Sequence, residues 1–140
     1  MKQKVLILCT GNSCRSQMAE GVLRHYGRGR YEVFSAGTKP SSVNPTAVQV
    51  MKEVGIDISG HRSKHVDEFK GQPFDYVITV CDNARETCPF FPGNAIRLHW
   101  EFPDPPHGDA VTEAVLNEFR KVRDMIHGKF KNAGLSGISE

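Results

Sequence analysis

The sequence predicts an α/β fold, a parallel sheet flanked by helices, on three observations. Short aliphatic or β-branched runs alternate with longer stretches whose apolar residues recur at helical spacing. A glycine-containing turn joins the first run to the first such stretch. The chain has 140 residues, enough for one domain with a sizeable core and too few to leave much room for a second.

Val5 to Leu8 is a short aliphatic run, read as a buried strand. The turn Cys9 to Arg15 follows, and Ser16 is expected to cap a helix with apolar positions Met18, Val22 and Tyr26, ended by Gly27. Tyr31 to Ala36 is a second strand. Asn44-Pro45 then supplies a cap and a proline at the first helical position. Ala47, Val50, Met51 and Val54 give that helix its apolar face, and Gly55 closes it. Tyr76 to Val80, rich in β-branched residues, is a third buried strand. A short helix over Asp82 to Cys88 and a fourth strand over Ala95 to Leu98 come next. Pro103, Pro105 and Pro106 make Trp100 to Gly108 a loop. The last helix is expected from Ala110 to Lys131, capped by Asp109, with the stripe Val111, Val115, Phe119, Val122, Ile126 and Phe130. Residues 1–131 thus read as a single domain, and the Gly- and Ser-containing residues 132–140 as a flexible tail.

Composition removes whole classes of function. Hydrophobic residues at 39% and charged residues at 24% fit a folded soluble protein and argue against disorder. No apolar run approaches the roughly 20 residues of a membrane helix, and Val5 to Leu8 is too short for a signal-peptide core. No membrane association is expected, and the expected location is the cytoplasm. The 18 basic and 16 acidic residues are spread along the chain without a dense Lys/Arg footprint, so no nucleic-acid partner is expected. The cysteines are Cys9, Cys14, Cys81 and Cys88. In a reducing cytosol such residues are catalytic, metal-binding or redox-active more often than structural.

The first turn, Cys9-Thr10-Gly11-Asn12-Ser13-Cys14-Arg15-Ser16, has the makings of an anion cradle. It lies where a strand hands over to a helix, at the carboxyl edge where open α/β sheets bind ligands. Backbone N–H groups and the helix dipole point positive potential into such a turn. Gly11 and Asn12 tolerate the backbone angles it demands. Arg15 can grip an oxyanion with two parallel hydrogen bonds. The same field is expected to lower the pKa of Cys9, with Ser16 donating to the thiolate. Cys14 lies inside the cradle, as a packing residue or an accidental disulfide partner.

Cys81 ends the third strand and so shares the rim with Cys9. If the following segment is helical, Cys88 stands about 10 Å further along its axis, whereas a disulfide needs Cα atoms within about 7 Å. The two can pair only if the segment partly unwinds. The residues leave open a buried apolar pair, a zinc site or a redox couple. Zinc would need two further ligands, and the chain has no Cys-x2-Cys pair and no histidines at ligand spacing. Asp104, in Phe102-Pro103-Asp104-Pro105-Pro106, is either a general acid held over the cradle or an ordinary turn aspartate beside proline. Trp100 and Phe102 are expected to pack the base of that loop, and His61, His65, His99 and His107 carry no motif.

Cys9 to Ser16 with Gln17-Met18-Ala19-Glu20-Gly21, then Ser35-Ala36-Gly37, Asn44-Pro45 and Asp104-Pro105, resemble the low-molecular-weight protein tyrosine phosphatase superfamily over nearly the whole chain. The resemblance is closest to its arsenate reductase branch, which carries a cysteine pair matching Cys81 and Cys88. It implies a four-stranded parallel sheet flanked by helices. It also implies Cys9 as nucleophile, Thr10, Gly11, Asn12, Ser13, Cys14, Arg15 and Ser16 around the oxyanion, and Asp104 as general acid. Cys81 and Cys88 would relay a disulfide away from Cys9. Arsenate would be the substrate, phosphate or sulfate competing anions, and thioredoxin or glutaredoxin with glutathione the external thiol reductant. The enzyme would be a monomer without a bound cofactor. Some members hold potassium with counterparts of Asn12, Glu20, Ser35 and an acidic residue. The position matched to that acid is Lys64, so no metal is expected. The rival within the superfamily is a phosphatase using Cys9, Arg15 and Asp104 in the same way. Gln17, where phosphatases typically have proline, and Pro106, where they tend to have tyrosine, count against it.

Overall fold

The computed structural model describes residues 3–27, 29–81, 95–106 and 111–133. Four strands, β1 (Gln3–Cys9), β2 (Tyr31–Gly37), β3 (Tyr76–Thr79) and β4 (Ile96–His99), form one sheet in the order β2-β1-β3-β4. All pairings are parallel. The chain leaves β1 for β2 on one side and returns to β3 on the other, so the strand order reverses at β1. That reversal opens a crevice at the carboxyl end of β1, where Cys9 sits. The register pairs Leu8 with Thr79, which brings Cys81 to the rim one residue beyond the level of Cys9.

Val5, Leu6, Ile7 and Leu8 have no solvent exposure. A strand covered on both faces has no polar side, which is why this run shows no alternation. Helices α1 (Arg15–Tyr26), α2 (Pro45–Lys52) and α3 (Glu113–Ala133) supply the covering layers. Along α3, Phe119, Val122, Ile126 and Phe130 are at most 2% exposed. Each contributes about 1.5–3 kcal/mol by leaving water. Asn44 caps α2, its Oδ1 accepting from the N–H groups of Thr46 and Ala47 at 2.8 and 3.3 Å.

Several boundaries differ from the sequence expectation. Ser16 is not a cap: α1 begins at Arg15, Cys14 takes the cap position without a side-chain bond, and the Ser16 hydroxyl is drawn to Cys9 instead. Gly27 ends α1 at φ −97°, not in the left-handed region. A Cβ there would lie 2.4 Å from the Tyr31 ring and 2.7 Å from the Leu23 carbonyl, so close packing explains the glycine. Val54 lies beyond α2 and is exposed. α3 starts at Glu113, with Val111 outside it and 55% exposed. The Thr112 hydroxyl accepts the Val115 N–H at 3.2 Å and supplies the partner expected of Asp109. β4 is shifted one residue toward His99. A one-turn 3₁₀ helix, Val66–Phe69, had no sequence signal. Helix α3 runs to Ala133. The rest of the expected tail, the expected helix over 82–88, Asp109 and His107 lie outside the described residues.

Candidate active site

The cradle is shaped from behind by its own carbonyls. Those of Cys9, Thr10, Gly11 and Ser13 accept the backbone N–H groups of Thr38, Lys39, Ser41 and Asn44 at 3.3, 2.9, 3.1 and 2.9 Å. The Asn12 carbonyl accepts Gln17 Nε2 at 3.2 Å, and the Ser63 hydroxyl adds a second bond to Gly11 O at 3.0 Å. In a planar trans peptide the N–H points opposite its C=O. Pinning the carbonyls outward therefore turns the following N–H groups inward, where an anion would lie. Asn12 takes the left-handed conformation this requires, at φ 47°, and its N–H reaches Cys9 Sγ at 3.2 Å. Gly37 lets the end of β2 approach. A Cβ there would stand 2.4 Å from the Thr10 carbonyl and 2.9 Å from the Asn12 nitrogen.

Cys9 Sγ also lies 2.9 Å from Ser16 Oγ. The expected lowering of its pKa is not what this geometry gives. Burial pushes the thiol up from its ordinary value, and the Ser16 hydrogen bonds and, more weakly, Arg15 pull the other way. Burial around the end of β1 outweighs the donors. Cys14, also buried, is pushed up to about 12, first by burial and then by the nearby Asp104 and Cys9 charges. Its thiol points at Asp104 Oδ1, 3.8 Å away.

Arg15 leans over the mouth. Its Nη1 donates to the Phe102 carbonyl at 3.2 Å, and its Nε is 3.5 Å from Asp104 Oδ1. That Nε is buried with no hydrogen-bond partner among the described residues. A buried unsatisfied donor is costly, and an oxyanion in the cradle would satisfy it. Phe102, 5% exposed, and Trp100, whose ring meets Phe130 edge-on at 4.9 Å, pack against α3 just before Asp104 in the chain. The resulting cleft, about 300 Å³, is lined by Cys9, Thr10, Gly11, Ser13, Cys14, Arg15, Ser41 and Asp104. Cys81, 4% exposed, joins from the neighbouring strand through Thr10, whose hydroxyl is 3.3 Å from its Sγ. The structure thus brings Cys9 to Ser16, Cys81 and Asp104 together, and Cys88 lies outside the described residues.

Sequence reasoning missed Ser41, and it named Asn12, Glu20 and Ser35 behind the cradle only as counterparts of a cation site, without Gln17 or His61. Asn12 Nδ2 donates to Ser16 Oγ and Ser35 Oγ at 2.8 and 3.0 Å, and Ser35 in turn donates to Glu20. Gln17, fully buried, donates to Asn12 Oδ1 at 2.9 Å and accepts from His61. Glu20 meets Arg24 at 2.9 Å, His61 at 3.6 Å and Lys64 Nζ at 4.0 Å. With an ammonium group already facing Glu20, the residues present do not fit a potassium ion. No cluster of three His, Cys, Asp or Glu able to hold a metal occurs among the described residues. A larger hollow of about 440 Å³, bordered by Arg24, Tyr31, Glu32, Ile56 and His61, has no cysteine in its lining.

Fold and site together place a turn of inward N–H groups, an arginine and a buried cysteine sulfur at the switch point of a parallel sheet, a setting with the shape and charge for a tetrahedral oxyanion. Residues 4–134 match the low molecular weight phosphotyrosine protein phosphatase family, and the chain belongs to it. An arsenate reductase of Halalkalibacterium halodurans is 44% identical over 97% of this chain and 98% of its own. A solved arsenate reductase in the phosphate-binding state superposes with a TM-score of 0.74 at 37% identity, covering 94% of this chain and 95% of that one. Another, in the oxidized state, gives 0.77 at 37% identity over 93% and 95%. No described helix is long and apolar enough to cross a membrane.

Proposed function

We propose that this chain is a cytoplasmic, monomeric arsenate reductase that uses Cys9 as nucleophile and passes the resulting oxidation through Cys81 to Cys88. The observation that carries the reading is the second thiol at the cradle: Cys81 hydrogen-bonded to Thr10, a residue of the anion loop. A phosphatase would use Cys9, Arg15 and Asp104 alike but has no use for a thiol at that place. The arsenate reductase relatives support the same choice.

Arsenate seats its oxygens on the inward N–H groups and the Arg15 guanidinium. Ser16 and Asn12 stabilise the Cys9 thiolate as it forms. The thiolate attacks arsenic, and the departing hydroxyl leaves as water with a proton from Asp104. Cys81 then attacks the Cys9 sulfur. The sulfur–arsenic bond breaks with its electron pair going to arsenic, so arsenic falls from the +5 to the +3 state and two thiols become one disulfide. Cys88 attacks Cys81 in the same way, freeing Cys9. A dithiol reductant, thioredoxin before glutaredoxin with glutathione, reduces the Cys81–Cys88 disulfide. Phosphate and sulfate compete for the cradle because they share its tetrahedral, anionic shape. No bound cofactor enters any step.

The test is arsenite formation by the purified protein with thioredoxin and thioredoxin reductase, run against a glutathione–glutaredoxin system. Sustained arsenite formation with thioredoxin is expected. Hydrolysis of p-nitrophenyl phosphate with no arsenite from either reductant would establish the phosphatase instead.

A further inference from the structure

The hydrogen bonds behind Cys9 have a direction that backbone groups fix. The Lys64 backbone N–H, which can only donate, lies 3.0 Å from Asn12 Oδ1. The other end of the Asn12 side chain is therefore the NH2, giving its protons to Ser16 and Ser35. Ser16 Oγ accepts that bond, so its own proton is available to Cys9 Sγ at 2.9 Å. The backbone carbonyls of Asn12 and Arg62, which can only accept, lie 3.2 and 3.1 Å from Gln17 Nε2. The opposite atom, Gln17 Oε1, must be the carbonyl oxygen, and it is 2.9 Å from His61 Nδ1. His61 accordingly carries a proton on Nδ1. From His61 to Gln17, Asn12, Ser16 and Cys9, every bond then donates toward the sulfur. Bonds aligned head to tail polarise one another, and the last donor is strengthened where negative charge develops.

We infer that Gln17 and His61 are positioning residues for Cys9, the outer members of a polarised donor chain that runs from the α1–β2 hollow to the nucleophile. The inference rests on Cys9 being the nucleophile and extends that reading to two residues that touch no substrate. His61 suits the role by placement. Its side chain is 15% exposed and borders the hollow, with Nε2 turned to Glu20. Burial pushes it below the ordinary histidine range, with Arg24 and Lys64 acting the same way and Glu20 and Asp57 against.

The alternative is that Gln17 and His61 only fill space, and three variants separate the two. His61→Leu removes the donor, His61→Asn keeps an N–H near the place of Nδ1, and Gln17→Met breaks the chain at similar volume. The readout is the rate of iodoacetamide alkylation of the Cys9 peptide at one fixed pH, with kcat and KM for arsenate alongside. His61→Leu should slow alkylation about tenfold, the size of one hydrogen bond, and lower kcat while KM stays within about twofold. His61→Asn should recover most of the rate. The double variant His61→Leu/Gln17→Met should be no slower than the slower single one, because both cut the same chain. Wild-type alkylation in His61→Leu would overturn the inference, as would His61→Asn as slow as His61→Leu. If Gln17→Met fails to fold, the His61 pair decides alone. Alkylation needs no arsenate, so a wild-type protein that makes no arsenite would sink the proposed activity and leave this test standing.

Discussion

Behind the cradle, Asn12, Gln17, Glu20 and Ser35 are at most 3% exposed and bonded to one another. At its mouth, Arg15 keeps a buried Nε without a hydrogen-bond partner among the described residues, and the Asp104 side chain is 48% exposed. The two walls are a few ångströms apart and follow opposite rules. The back wall satisfies its polar groups and so holds one shape. The front wall leaves one buried donor, Arg15 Nε, without a hydrogen bond among the described residues, at some cost in stability, and an incoming anion completes it.

Substitutions should separate the walls. The largest effect on activity belongs to the front. Arg15→Lys keeps the charge but loses the planar grip. Two charge-assisted hydrogen bonds at about 1.5–3 kcal/mol each correspond to a loss of about two to four orders of magnitude in kcat/KM. Thermal unfolding should show a Tm unchanged or slightly raised, since a buried unsatisfied group is removed. Wild-type kcat/KM in this variant would remove Arg15 from the site. Gly37→Ala acts on the back. The added methyl has nowhere to go beside Thr10 O and Asn12 N, and the overpacking should cost about 1–3 kcal/mol in urea unfolding. Activity should fall less than for Arg15→Lys, mainly as a raised KM, because the N–H groups shift while Cys9 and Arg15 remain.

The comparison also shows what the sequence made legible. The cradle was readable because its residues are contiguous and their spacing between strand and helix has a physical purpose. The Asn44 cap and the apolar run of β1 were readable because capping and burial leave local signatures. The back wall was not. Ser35 and Glu20 stood beside Asn12 only through the family resemblance, and nothing local joined Gln17 or His61 to them until the fold brought Gln17 to Asn12 and His61 to Gln17. Ser16 misled for a related reason: a serine before an apolar helical pattern reads as a cap, and only the fold shows its hydroxyl committed to Cys9. The pKa of Cys9 was misjudged because the donors are visible in the sequence while the depth of burial is not. The start of α3 slipped because Thr112 and Asp109 are both good caps and only one position fits the helix.

A site far from both walls sets the lower end of the scale. Glu53, after α2, binds Arg123 at 2.7 Å and Arg120 at 2.7 Å on α3, and these partners hold its carboxyl at about 2, well below the usual range. A depressed carboxylate stabilises the fold above its unfolded value near 4.5 and loses that contribution as pH falls toward 2. With the side chain 34% exposed, solvent screening limits the effect. Glu53→Gln should cost at most about 1 kcal/mol near neutral pH, with the gap from wild type closing as the pH falls below about 4. Urea unfolding at several pH values reads this directly, and a gap that widens on acidification would contradict the assignment. Neither kcat nor KM should change.

The central claim is that Cys81, not water, resolves the Cys9 adduct, and that Cys88 then releases Cys9. Cys88→Ser with arsenate, thioredoxin and thioredoxin reductase tests it most directly. The variant should release about one arsenite per protein and stop, because a disulfide formed between Cys9 and Cys81, 3% and 4% exposed as thiols, would lie beside the cradle, and exchange needs access to its sulfur. Peptide mapping under non-reducing conditions should then find Cys9 joined to Cys81. Sustained arsenite production by Cys88→Ser, with no Cys9–Cys81 disulfide at any time, would contradict the relay.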